Sequence, residues 1–149
     1  YQTCESKDKS RLKQLKQEMI LAEFDSIETV LLQVDMRWHE ATENWKHFAK
    51  TIEKLGKAGR TDQFNLNNAA WTFYEKVNQK SLLKKAEVWI TQSVALERSS
   101  VNLDTQAMLL HKLGKKEAAI AAAQESIAMG KATGEDVSAT EKALAEWLK

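Results

Sequence analysis

The sequence predicts an all-α fold built as a right-handed stack of antiparallel helix pairs, and three observations carry that prediction. Proline is absent and only five glycines occur in 149 residues. Ala, Leu, Lys, Glu and Gln dominate instead; they lose little rotamer freedom in a helix, and the strongest helix breaker is missing. Apolar residues recur at spacings of three and four, and no sustained period-two alternation marks a strand. Finally, two segments copy each other. Gln92-Ser93-Val94-Ala95-Leu96 matches Glu125-Ser126-Ile127-Ala128-Met129, with Ser93 and Ser126 33 positions apart, and Ala86 and Ala119 share that spacing. A period in the low thirties marks an α-solenoid, whose units cannot bury their apolar faces alone and need a neighbour.

The elements follow in order. Residues 1–24 form an N-terminal helix, because Leu12, Leu15, Met19, Ile20 and Leu21 line one face among Lys, Arg and Gln. Phe24-Asp25-Ser26 interrupts it, and Asp25 or Ser26 can cap the next start. Ile27, Val30, Leu31, Val34 and Trp38 carry a second helix. The chain turns near Glu43-Asn44, and Trp45, Phe48, Ile52 and Leu55 carry a third, which Gly56 is expected to end in the left-handed conformation. The loop-like stretch from Gly56 to Asn65 is too short for a domain linker, so residues 1–149 are read as one helical domain. Helices are then expected at 64–78, 81–97, 101–113, 115–129 and 135–148, with Ser81 and Asn102 as N-caps.

Composition narrows the function. Lys plus Arg number 22 against 21 for Asp plus Glu, and the charges are interspersed. No basic stripe suits a phosphate backbone, which disfavours nucleic acid. The apolar runs are short and broken by charge, so no membrane span is predicted. Cys4 is the only cysteine, which excludes an internal disulfide and a thiolate metal cluster. It has no nearby histidine, and Glu5 opposes thiolate formation, so an inert thiol is expected. The chain begins at Tyr1 without a signal-like stretch, the pattern of a processed chain or of a piece of something longer. No phosphate loop or nucleophile-base order is recognisable, so no catalytic residue, cofactor or metal is assigned. The alternative is a metal-dependent or other enzyme centred on His39, Glu43 and His47. Their spacing of four would form one metal-gripping stripe on an unbroken helix, which the turn at Asn44-Trp45 is expected to split.

Paired, the helices bear a family resemblance. Leu103, Ala107, Leu110, Gly114, Ala119, Ala123 and Ile127 fall at the small and large positions of a tetratricopeptide repeat (TPR), so residues 101–134 resemble one such repeat. Small residues at 107 and 119 let two helices approach while Leu103, Leu110 and Ile127 fill the space between them. Residues 64–98 resemble a second copy, with Leu66, Ala70, Phe73 and Ala86 answering Leu103, Ala107, Leu110 and Ala119. Residues 27–57 resemble a degenerate copy, and 135–148 a closing helix. Two departures stand out: the family's proline is replaced near Arg98, and Ser93 and Ser126 stand where alanine is customary.

A narrower likeness covers about residues 44–149. Asn44-Trp45-Lys46, Leu66-Asn67-Asn68-Ala69-Ala70-Trp71, Leu82-Leu83-Lys84-Lys85-Ala86 and Leu113-Gly114-Lys115-Lys116-Glu117-Ala118 resemble the TPR-like tail of bacterial proteins with an N-terminal thioredoxin-like domain. No Cys-x-x-Cys occurs here, so any redox domain would lie outside this chain. The likeness implies a bacterial periplasmic or envelope setting, the cytoplasm being the alternative.

The resemblance implies a non-enzymatic protein-interaction module that binds a protein or peptide on a concave face. Counting from Leu66 and Leu103, that face would carry Asn67, Asn68, Trp71, Asp104, Met108 and His111. Amides pair with a peptide backbone while Trp and Met supply apolar contact. Two alternatives remain at this stage: the chain's own N-terminal helices fill the groove, or a second copy does so in a self-associating structural module. The carboxylate clamp of some TPR domains is disfavoured, because Val101 and Thr105 occupy positions where it needs cations.

Overall fold

The computed structural model describes residues 8–21 and 27–149. Cys4 and the Phe24-Asp25-Ser26 interruption lie outside them. Among the described residues every regular element is a helix, eight in all: α1 (Lys9–Leu21), α2 (Ile27–Ala41), α3 (Trp45–Lys57), α4 (Gln63–Lys76), α5 (Lys80–Leu96), α6 (Ser100–Lys112), α7 (Lys116–Thr133) and α8 (Ser138–Trp147). No described helix is long and apolar enough to cross a membrane. The chain divides into two compact units, residues 1–61 and 62–149. The division falls inside the loop-like stretch between Gly56 and Asn65.

In the first unit α2 and α3 pack as a hairpin, and α1 touches α2 through a Lys16–Asp35 ion pair. Helix α3 is amphipathic: Phe48, Ala49, Ile52 and Leu55 are buried while Lys46, Lys50 and Lys54 face solvent. The turn between α2 and α3 forms where the sequence places it. Glu43 adopts a left-handed φ of 54°, and the Asn44 N–H donates to the His39 carbonyl at 2.8 Å. Gly56 does not end α3, which runs to Lys57. Gly59 does so instead, at φ 65°, with Arg60 N–H donating to Leu55 O and Gly59 N–H to Gly56 O. That pair of bonds is the Schellman closure, and it needs the glycine one residue beyond the C-cap, which is Ala58.

In the second unit α4 packs on α5, α6 on α7, and α8 on α7, while α6 also meets both α4 and α5. Ala70, Phe73, Ala86 and Ile90 of the first hairpin are 0 % exposed, as are Ala107, Ala119 and Ala123 of the second. Leu103 and Leu110 are buried with them, but Ile127 is only half-buried. Leu144 and Trp147 of α8 close over Ala107, Leu110, Ala119, Ala122 and Ala123.

Two expected caps move. Ser81 lies inside α5, whose N-cap is Gln79. Asn102 is the third residue of a capping box led by Ser99: Asn102 N–H donates to Ser99 Oγ at 3.3 Å and Ser99 N–H to Asn102 Oδ1 at 2.9 Å. The reciprocal pair satisfies two first-turn donors, whereas Asn102 as N-cap would satisfy one. Helix α7 runs a turn past the expected 129, to Thr133, before Gly134 closes it at φ 77°.

Candidate functional site

Helices α4 and α6 present corresponding residues, and the site is built along them. On α4, Asn67, Trp71 and Tyr74 recur at four and three and so share a face; on α6, Asp104, Met108 and His111 do the same. Toward the C-terminal ends of these helices, with α8 alongside, the surface opens into a groove of about 660 Å³ lined by Tyr74, Met108, His111, Lys112, Ala143 and Trp147.

Its walls are ordered by ring contacts and one charge. His111 stacks on Trp147 with centroids 4.3 Å apart and planes within 9°. Trp71 and Tyr74 meet at 5.0 Å, inclined by 42°. Lys112 Nζ donates to the Tyr74 carbonyl at 2.5 Å and lies 5.5 Å from the Tyr74 ring centroid. That bond satisfies a carbonyl in the last turn of α4, where a cation is also favoured by the helix dipole.

Farther toward the N-terminal ends the face is rich in acceptors. Asp104 Oδ1 accepts a 2.7 Å hydrogen bond from Thr140 Oγ1 of α8. Burial pushes the Asp104 carboxyl above its ordinary range, and the Thr140 bond offsets part of that rise. Asn67 Oδ1 is buried and has no hydrogen-bond donor among the described residues.

Of the six residues picked from the sequence, Met108 and His111 line the groove, whereas Trp71 does not line it but meets the ring of Tyr74, which does. Asp104 and Asn67 lie one turn toward the helix starts, and Asn68 is exposed. Tyr74, Lys112 and Trp147 were missed. Tyr74 was legible as the register partner of His111, but Lys112 and Trp147 depend on how α8 and the end of α4 pack.

In the first unit the turn at Glu43 does interrupt the helix, yet it brings the His39 and His47 rings to 5.3 Å. His47 Nδ1 pairs with Asn44 Oδ1 at 2.9 Å, whereas His39 Nδ1 is buried without a described partner. Burial lowers the His39 pKa against the raising influence of Asp35, with His47 and Lys16 lowering it further. Among the described residues no three His, Cys, Asp or Glu side chains are arranged to hold a metal.

Neither a protein family, nor a curated protein, nor a solved structure matches this chain.

Proposed function

We propose that the second unit is a TPR-like peptide-binding module, its helix pairs stacked as in a solenoid. On this reading it holds an extended segment of a partner protein along α4 and α6. The observation that carries it is the groove, because Tyr74, Met108, His111 and Trp147 combine apolar contact area with hydrogen-bonding edges. The repeat reading is supported by two matched hydrogen bonds. Ser93 Oγ donates to Gln63 O at 2.7 Å and Ser126 Oγ to Ser100 O at 2.8 Å, each from a second helix to the first residue of its partner helix. The serines that replace the family's alanine therefore make the same contact in both hairpins.

The thioredoxin-associated resemblance makes the tail of a longer bacterial thioredoxin-like protein the setting we propose for the module. A complete reading frame without an upstream Cys-x-x-Cys domain would remove that setting and leave the binding reading intact.

Trp71 is the proposed anchor. Truncating an aromatic hot spot costs about 2 kcal/mol of binding or more while neighbouring contacts stay nearly neutral. Trp71→Ala should therefore abolish retention of capped nonapeptides from an immobilised library. Its melting temperature should fall far less than that of Phe73→Ala, which empties a fully buried site and costs about 3–5 kcal/mol. Equal destabilisation by the two substitutions would make Trp71 a core residue and end the proposal.

A further inference from the structure

We propose that the Asp104 end of the α4–α6 face receives a cationic side chain of the bound peptide, arginine in preference to lysine. This rests on the peptide-binding reading and names the partner's chemistry.

The argument starts from unmet hydrogen-bonding capacity. An ionised carboxylate has about four acceptor sites, and the one described side-chain donor to Asp104 is the Thr140 hydroxyl. No Lys, Arg or His pairs with Asp104 among the described residues. A half-buried carboxylate without a counter-cation is costly. Its pKa moves in the direction that cost requires, because burial outweighs the Thr140 bond.

The corresponding residue of α4 has the same deficiency. Asn67 Oδ1 is buried with no described donor, and buried acceptors are nearly always paired in folded proteins. Helices α4 and α6 pack together, so two acceptors short of donors sit at matching turns of adjacent helices.

One turn on stand Trp71 and Met108, an aromatic face and a polarizable thioether. A guanidinium suits this combination: it offers several in-plane donors to a carboxylate and an amide while its flat face stacks on an aromatic ring. An ammonium supplies the charge without the plane. At the opposite, groove end Lys76 and Lys112 stand with Glu75, whereas Asp104 has no described cation beside it.

The test uses the whole chain and a positional-scanning library of capped nonapeptides in which one position is fixed as Arg, Lys, Gln or Glu. Wild-type protein should retain the best fixed-Arg pool roughly tenfold or more over the matching Gln pool, the scale of a charge-assisted hydrogen bond. Asp104→Asn should remove that preference. It should also melt at an equal or higher temperature at neutral pH, because it removes a buried charge while an amide oxygen still accepts from Thr140. The sign is fixed: a carboxyl whose folded pKa is raised favours the folded state at low pH and loses that contribution as pH rises through the folded value. The thermal advantage of Asp104→Asn should therefore shrink as pH falls through the carboxylate range. Asn67→Ala gives an independent arm, expected to lower the arginine preference a few-fold with the fold retained.

Arginine preference that survives Asp104→Asn overturns the inference. So does retention of peptides through Trp71 with no cationic preference, which leaves the binding reading standing. Failure of wild-type protein to retain any pool overturns both.

Discussion

The hairpins α4–α5 and α6–α7 bury several corresponding positions to similar depth and fill them with different residues. Ile90 and Ala123 are both 0 % exposed at the same register, and Trp89 at 4 % answers Ala122 at 8 %. The first hairpin uses bulk: Phe73 meets Trp89 edge to face with centroids 4.9 Å apart. The second uses alanine, and Leu144 and Trp147 of α8 close over what its small side chains leave uncovered. The turns follow suit. Gly114 closes α6 at φ 81° with Lys115 N–H donating to Leu110 O, whereas α4 ends at an extended Val77. Two hairpins of similar pattern thus tolerate two interiors, because packing needs volume filled and not a given residue. The alanine-rich version requires an extra helix to complete it.

Exchanging residues across the pair is the strongest way to break this comparison. Ile90→Ala should cost about 2–5 kcal/mol, since the surrounding α4–α5 interior relaxes only partly into the cavity. Ala123→Ile places the first hairpin's residue in the second and should cost about 1–3 kcal/mol by overpacking. Chemical denaturation of each variant measures both. If Ala123→Ile is neutral, the second interior has spare volume and the account of α8 as its completing element fails.

A smaller effect tests the extra turn of α7. Gly130 corresponds to Glu97, the residue that ends α5, yet α7 continues past it. A Cβ at Gly130 would come within 2.3 Å of Val137 Cγ1 and 3.5 Å of Ser100 Cβ. The Glu135 carboxylate accepts from Ser100 Oγ and Thr133 Oγ1, holding the turn onto the start of α6. Gly130→Ala should therefore destabilise by about 1–3 kcal/mol despite alanine's higher helix propensity. A rise in melting temperature would show that Val137 moves aside easily and that the turn is not fixed there.

The all-helical class and the likeness of the two hairpins were legible because their evidence is local and duplicated. Ala86, Ala119, Ser93 and Ser126 sit where only small residues fit, and that constraint survives in sequence without knowledge of neighbours. Helix bounds were legible to a few residues, and the errors share a cause. Gly56 and Gly59 both look like terminators, and only the depth of the apolar stripe ending at Leu55 decides between them. Ser99 outranks Asn102 as N-cap because the two bond each other, a reciprocity that single-residue preference misses. The candidate site was half legible. Trp71, Met108 and His111 follow from repeat register, whereas the Lys112 bond to Tyr74 and the stacking of Trp147 on His111 come from helix packing, where no short-range signal points. The sequence places Asp104 on the binding face, and α8 covers it in part through Thr140.

The finest comparison lies in the two serines. Each donates to a carbonyl that opens its partner helix, but Ser93 Oγ also accepts from Asn102 Nδ2 at 3.4 Å, linking the first hairpin to the capping box of α6. Ser126 has no such second contact among the described residues. Replacing either with alanine removes one hydrogen bond, worth about 0.5–1.5 kcal/mol, and gains roughly half a kcal/mol of helix propensity. Neither carbonyl lies in an unpaired helix end, so no acceptor is stranded. Ser126→Ala should therefore change stability by about half a kcal/mol or less, near the balance of those two contributions. Ser93→Ala should cost several tenths of a kcal/mol more, because Asn102 keeps only its 2.5 Å bond to the Glu97 carbonyl and its capping bond to Ser99. The propensity gain is common to both variants and cancels in the difference, which isolates the contact between hairpins. Equal melting temperatures for the two would mean that the Ser93–Asn102 contact contributes nothing and that the hairpins are joined by apolar packing alone.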